Sequence, residues 1–249
     1  MNRDYAAIFL SPHLDDVTFS CGGQIAALTA VGEAVLVVTL AAGDPPPGPL
    51  SDLARSVHRR WGAGDVMAHR RDEDAEACRI LGCDSLHLDL PDGIYRRDSG
   101  TGRPLYETTR SLYGAVHPVD AAIVGPLSER LDRLLQRGRL LAPLAVGGHV
   151  DHRLARAVAE RWRGQAVVYY EDYPYAEMPG ALEDVLGDRE EWSSEVVTLG
   201  DEALRTKVRA SGAYSSQVAA GDFVIFSLRQ AAYAKRIDGE RRWRRRRRM

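Results

Sequence analysis

Two short segments concentrate the side chains best suited to bind a metal and move protons. The first, Pro12-His13-Leu14-Asp15-Asp16, sets one imidazole beside two adjacent carboxylates. That set offers a nitrogen ligand, a hard oxygen ligand and one carboxylate to spare. Neighbouring carboxylates repel unless positive charge lies close, and a divalent ion meets that demand. The alternative is that Asp15 or Asp16 caps the following helix and His13 is a hydrogen-bonded core histidine. The second segment, Gly147-Gly148-His149-Val150-Asp151-His152, places two of the chain's seven histidines three apart around an aspartate. His149 is expected to precede a helix, so its ring need not face the same ion as His152. Here the alternative is a pair of surface histidines and a helix cap.

Both segments fall where an apolar strand gives way to a helix. Short apolar runs alternate with stretches of helical period, the pattern of a βαβ succession. Strands are expected at Ala6–Leu10, Ala34–Leu40, Ser85–Leu90, Leu140–Val146 and Ala166–Tyr170. Val17, Cys21, Ile25 and Leu28 mark one helix face, Ala75, Cys78 and Leu81 a second, and Leu154, Val158 and Trp162 a third. Further helices are expected over Ala121–Leu135 and Glu202–Ser211. Asp44-Pro45-Pro46-Pro47-Gly48-Pro49 continues neither element type and reads as a crevice-lining loop. Phe223-Val224-Ile225-Phe226 reads as an edge strand. The resulting fold class is α/β, a Rossmann-like three-layer arrangement with a mostly parallel sheet.

The two motifs, with Gly22-Gly23 after the first, resemble those of the LmbE-like and PIG-L-like zinc-dependent de-N-acetylases. The likeness spans about residues 6 to 175. It implies a Rossmann-like sheet and one zinc held by His13, Asp16 and His152. Leu14 and Val150 stand where that family usually has proline, and Val17 where it usually has glutamate. None of the three is a ligand position, although loss of the glutamate removes a polar group near the metal.

Three protein ligands leave a coordination position open, where zinc lowers the pKa of water to about 7. Asp15, next to a ligand, is then the general base and the carrier of a proton to the leaving amine. A positively charged His149, held so by Asp151, would stabilise negative charge on the carbonyl oxygen. The family has an arginine and an aspartate that hold sugar hydroxyls, matched here by Arg70 and Asp92. Their alternatives are a surface salt bridge from Arg70 to Glu73 or Asp74, and a turn residue at Asp92. Tyrosines in Tyr169-Tyr170-Glu171-Asp172-Tyr173-Pro174-Tyr175 suit a sugar ring. The expected activity is removal of an N-acetyl group from an amino sugar or glycoside. Its rivals are an N-deacylase of an acylated natural product and a non-enzymatic sugar-nucleotide-binding domain. Zinc is the expected cofactor, and iron(II) suits the same ligands. No G-x-G-x-x-G or phosphate-loop fingerprint follows the first strand, which argues against nucleotide binding.

With 249 residues, 45% of them apolar, the chain can bury one full core. A single catalytic domain over residues 1–240 is expected. Seven of the 33 basic residues crowd the last nine positions, and 241–249 reads as a basic, disordered tail. Setting those seven aside leaves 26 basic against 35 acidic residues, a net of about −9, which argues against a phosphate-backbone-binding surface. A small-molecule substrate is therefore expected, with no nucleic-acid or membrane partner, and a homo-oligomer is compatible with the sequence. No stretch of eighteen or more apolar residues occurs, and Cys21, Cys78 and Cys83 form no C-x-x-C pair. A soluble cytoplasmic protein with reduced cysteines is the expectation.

Overall fold

The computed structural model describes residues 4–62, 64–134, 138–164 and 166–246. In chain order the elements are β1 (Ala7–Ser11), α1 (Asp16–Ala30), β2 (Val35–Thr39), α2 (Asp52–Trp61), α3 (Val66–Leu81), β3 (Asp84–His87), α4 (Thr109–Leu112), α5 (Pro118–Leu134), β4 (Arg139–Pro143), α6 (Val150–Glu160), β5 (Val168–Tyr170), α7 (Ala181–Leu186), β6 (Trp192–Val197), α8 (Asp201–Ser211), α9 (Phe223–Arg236) and β7 (Glu240–Arg245). The strands form one sheet in the order β3-β2-β1-β4-β5-β7-β6. The first five are parallel, and β7 runs antiparallel to both β5 and β6.

Strand residues alternate between two buried faces, as a sheet covered on both sides requires. Ile8, Leu10, Leu36 and Val38 pack with α5 and α6 through Leu131, Leu154 and Val158. Ala7, Phe9, Val35 and Val37 pack on the opposite face with α1 and α3 through Val17, Ile25, Ala77 and Leu81. The expected three-layer fold with a mostly parallel sheet is thus the observed one. The five expected strands and the helices at 16–30, 66–81, 150–160 and 201–211 occur with boundaries shifted by a few residues. Leu135, the expected end of the fifth helix, lies outside the described residues.

Two expectations are corrected. Phe223–Phe226 is not an edge strand but the first turn of α9. Four apolar residues in a row suit either element, and here Phe226, Tyr233 and the buried Ala234 turn inward. Val224, Ile225 and Leu228 stay 65, 61 and 66% exposed.

The basic segment is likewise no free tail, because β7 carries residues 241–245 into the sheet. Trp243 is buried and its indole N–H donates to Glu171 Oε1 at 2.8 Å. Arg242 pairs with Glu195 at 2.8 Å and Arg241 with Glu171 at 3.3 Å, so these two guanidinium groups are neutralised. Residues 247–249 of that segment lie outside the described residues. No described helix is long and apolar enough to cross a membrane.

Glu240 anchors this strand to α1 and α8. Its carboxylate accepts the backbone N–H groups of Gly23 and Gln24 and, at 2.6 Å, the buried ammonium of Lys207. A side chain on Gly23 would meet Leu199 Cδ1 at 2.3 Å, so the Gly22-Gly23 pair permits this close approach. Removing one partner of such a pair leaves a buried charge uncompensated. Glu240→Ala is expected to lower unfolding free energy by about 3–5 kcal/mol in urea denaturation, and a loss below about 1 kcal/mol would contradict this anchoring role.

Candidate active site

Strand order reverses between β1 and β4, which lie side by side with β2 beyond one and β5 beyond the other. The crevice beyond the carboxyl ends of such a strand pair is where open α/β sheets bind ligands. Both motifs end there. Ser11, the last residue of β1, pins the first turn: its hydroxyl donates to the His13 carbonyl at 2.6 Å and accepts the Val17 N–H at 3.3 Å. The second turn follows β4 and holds Gly147 and Gly148 at φ of 80° and 75°. A Cβ on Gly147 would lie 2.6 Å from the Tyr175 ring, so close approach and left-handed backbone both demand glycine.

The turns bring His13, Asp16 and His152 together. Asp16 Oδ2 lies 3.0 Å from His13 Nδ1 and 3.3 Å from His152 Nε2, and also accepts the His13 backbone N–H at 2.9 Å. A second carboxylate fixes the far nitrogen of each ring. His13 Nε2 lies 2.9 Å from Asp151 Oδ2, and His152 Nδ1 lies 2.6 Å from Asp172 Oδ1. Each imidazole thus faces a carboxylate from both of its ring nitrogens, and a cation beside Asp16 would replace the proton on His13 Nδ1 and on His152 Nε2. His152 Nε2 is buried and has no hydrogen-bond partner. A buried ring nitrogen with no hydrogen-bond partner, beside a carboxylate oxygen, fits a cation.

Further charges set this cluster in place. Asp151 accepts the Gly93 N–H at 3.0 Å and an ion pair from Arg96, which also bonds Asp120 at 2.9 Å. Burial alone would raise the Asp151 pKa, but Arg96 and His13 hold it well below the usual carboxylate range. Burial likewise opposes charge on His152, yet Asp16 and Asp172 push its pKa up to about 10. His13 is raised well above an ordinary histidine against the same burial, by Asp92, Asp151 and Asp16. Carboxylates therefore make this rim a place that stabilises positive charge.

Asp15 precedes α1 but makes no capping hydrogen bond, so the cap alternative fails for it. Its half-buried carboxyl lies 3.8 Å from Arg70. Burial and the Asp16 charge push its pKa up to about 7. Arg70 does not make the surface bridge that its alternative supposed. Glu73 is occupied by Ser215 and Ser216, and Asp74 by Tyr214 and His87, while Arg70 is buried with its guanidinium 4.1 Å from the Trp61 ring centre. Arg70 Nη1 has no hydrogen-bond partner and lies 3.9 Å from Asp92. Asp92 caps a short 3-10 turn through one oxygen, as the turn alternative supposed, and lies 3.7 Å from His13 through the other. These groups line a cavity of about 290 Å³ with Leu53, Val57, Trp61 and Tyr113.

The expected partnership of Asp151 with a charged His149 is not observed. The Asp151 backbone N–H donates to His149 Nδ1 at 3.2 Å, which requires that nitrogen to be unprotonated. The Asp151 carboxylate is 3.9 Å away and engages His13 instead. Burial and nearby His13 push the His149 pKa down to about 4. His149 is thus a neutral ring whose proton sits on Nε2, and it caps α6. It offers a ring nitrogen within 4.8 Å of those of His13 and His152.

Asp172, Arg96 and Trp61 were not singled out from the sequence. Asp172 carried the one usable signal, an acid two residues beyond the end of an apolar strand.

The pattern of the PIG-L family, GlcNAc-PI de-N-acetylase, matches residues 8–162 and so includes both motifs. The chain belongs to this family. It is 31% identical over 70% of its length to 2'-N-acetylparomamine deacetylase of Niallia circulans, again over 70% of that protein. With the 2'-N-acetylparomamine deacetylase of Streptomyces fradiae it shares 33% identity over 71% of this chain and 60% of the other. The crystal structure of the zinc-inhibited form of teicoplanin deacetylase superposes with a TM-score of 0.76 at 26% identity, covering 95% of this chain and 96% of that one. Leu14 and Val150, which the resemblance sets at two proline positions, are both fully buried in one apolar cluster with Ala42 and Ile94. Aliphatic packing thus joins the two motif turns.

A carboxylate that orients a ligating imidazole typically contributes 10–100-fold to metal affinity. Asp172→Asn is therefore expected to bind zinc about 10–100-fold more weakly in calorimetric titration, with thermal denaturation of the metal-free protein checking that the fold persists. Unchanged affinity would remove Asp172 from the metal centre.

Proposed function

We propose that this protein is a metal-dependent N-deacetylase of amino-sugar glycosides. The observation that carries the reading is the partnerless His152 Nε2 beside Asp16, in a crevice where Asp151 and Asp172 orient both imidazoles. His13, Asp16 and His152 would hold the metal, and zinc and iron(II) both suit that donor set. A divalent ion there supplies Lewis acidity toward water and toward an amide carbonyl.

The remaining steps belong to the protein's own groups. Asp15 takes a proton from the attacking water as its oxygen bonds the amide carbon, and delivers a proton to the nitrogen as the C–N bond breaks. Acetate and a free amine result. The Nε2–H of neutral His149 donates to the carbonyl oxygen as negative charge grows there. Neutrality suits this task, since a donor is needed and a net charge is not. Arg70, with its unpartnered Nη1, and Asp92 bind hydroxyls of the sugar, while Trp61 holds the Arg70 guanidinium plane. Relatives that deacetylate acetylparomamine and teicoplanin support a glycoside as substrate. The three free cysteines accord with a reducing, cytoplasmic setting.

A panel of N-acetylglucosaminides assayed for acetate release tests the substrate class directly. Asp15→Asn is expected to retain one equivalent of zinc while losing turnover by about 10²-fold or more. Near-normal turnover in that variant would remove Asp15 from the chemistry, and zinc without acetate release from wild type would discard the glycoside.

A further inference from the structure

A second cavity, of about 450 Å³, opens onto the same catalytic carboxylates. It shares Asp15, Asp16, Tyr175 and Gln217 with the cavity that contains Arg70 and Asp92, and is otherwise lined by residues 173–174 and 218–229 together with Phe19. Its walls join apolar and aromatic side chains to the charged Asp222 and Arg229. Phe19 and Tyr173 come from the core, Val218 follows α8, and Ile225 and Phe226 come from the first turn of α9. Phe226 packs on Phe19 with ring centres 4.8 Å apart and on Tyr173 at 6.0 Å, so the floor is a joined aromatic surface. Ile225 stands 61% exposed at the rim, continuous with Val224 and Leu228.

The geometry of an amide decides what this second cavity receives. A planar trans amide sends the substituent on nitrogen and the substituent on the carbonyl carbon in opposite directions. When the sugar occupies the polar cavity, with its amide carbon at Asp15, the acyl group points away from Arg70 and Asp92. The groove with the aromatic floor also meets Asp15 and Asp16.

We infer that the groove formed by Phe19, Tyr173, Val218, Ile225 and Phe226 receives the acyl chain of the substrate. The enzyme then accepts N-acyl amino sugars with chains longer than acetyl. This inference rests on the amidohydrolase reading above and specifies the acyl side of its substrate. Hydrolysis of such a chain follows the same balance: water adds its oxygen to the acyl carbon, the C–N bond breaks, and a fatty acid and an amine leave.

Burying a methylene fully is worth about a fourfold gain in binding, and a groove that buries a little under half of it about 1.8-fold. Extending acetyl by four carbons to hexanoyl therefore predicts a gain of about tenfold. The zinc-loaded enzyme is assayed for amine release from N-acetyl-, N-butyryl- and N-hexanoyl-glucosaminides of one simple aglycone. An octyl glycoside of N-acetylglucosamine is run beside them. The expected result is a kcat/KM for the hexanoyl amide about tenfold above that for acetyl, with no comparable gain for the octyl glycoside.

In the Ile225→Asp variant the hexanoyl-to-acetyl ratio is expected to fall to near one. Calorimetry with Asp15→Asn protein gives a readout free of turnover, and should show the hexanoyl amide binding about tenfold tighter than the acetyl amide. Acetyl hydrolysis with rejection of hexanoyl, or equal binding of the two, overturns the inference and leaves the deacetylase reading intact. A gain for the octyl glycoside alone overturns it too, by assigning the groove to the aglycone. Release of no amine from any substrate removes the parent reading and the inference together.

Discussion

Five carboxylates, from Asp15, Asp16, Asp92, Asp151 and Asp172, crowd one end of the sheet around two imidazoles, and the arrangement of the site follows from compensating them. Desolvated anions this close are tolerated only when paired. Asp151 has Arg96 and His13, Asp172 has His152 and the Val146 N–H, and Asp16 has both imidazoles. Asp15 is the least compensated, with only a 3.8 Å approach from Arg70, and its affinity for a proton is raised accordingly. The same excess of negative charge that makes the rim attract a cation thus prepares one carboxylate to accept a proton.

Topology makes this crowding unavoidable. β1 and β4 are neighbours in the sheet although 132 residues separate the starts of the two strands at Ala7 and Arg139, and their turns open side by side. Each turn is locked by residues that do no chemistry: Ser11 in the first, Gly147 and Gly148 in the second. Leu14 and Val150 then weld the turns together through one apolar cluster. Proline would stiffen each turn alone, whereas these aliphatic residues couple the two. Helix α2, with Ser51 as its cap, brings Leu53, Val57 and Trp61 to the outer wall and holds Arg70 from behind.

What the sequence disclosed was local. The His-Leu-Asp-Asp and His-Val-Asp-His motifs lie within a few residues of strand ends, so residue types and apolar periodicity were enough to find them and the fold class. The partners of His13 and His152 were harder, since Asp172 lies 20 residues beyond His152 and Arg96 lies 55 before Asp151. Their roles arise from side-chain packing that no local pattern encodes. The charge state of His149 was misjudged because the adjacent Asp151 suggested a carboxylate partner, while the folded turn offers its backbone N–H instead. Strand β7 was hidden for a related reason: four arginines in six residues read as solvated, and only the folded sheet supplies Glu171, Glu195 and the aromatic faces that accept them. Phe223–Phe226 was ambiguous in principle, since a short apolar run has no period.

Anomalous diffraction from crystals of this protein grown with one equivalent of zinc tests the account most directly. The predicted result is a single strong peak about 2.0–2.2 Å from His13 Nδ1, Asp16 Oδ2 and His152 Nε2, with Asp15 outside bonding reach. A peak bonded instead to His149 or Asp92, with His152 Nε2 left out, would contradict it.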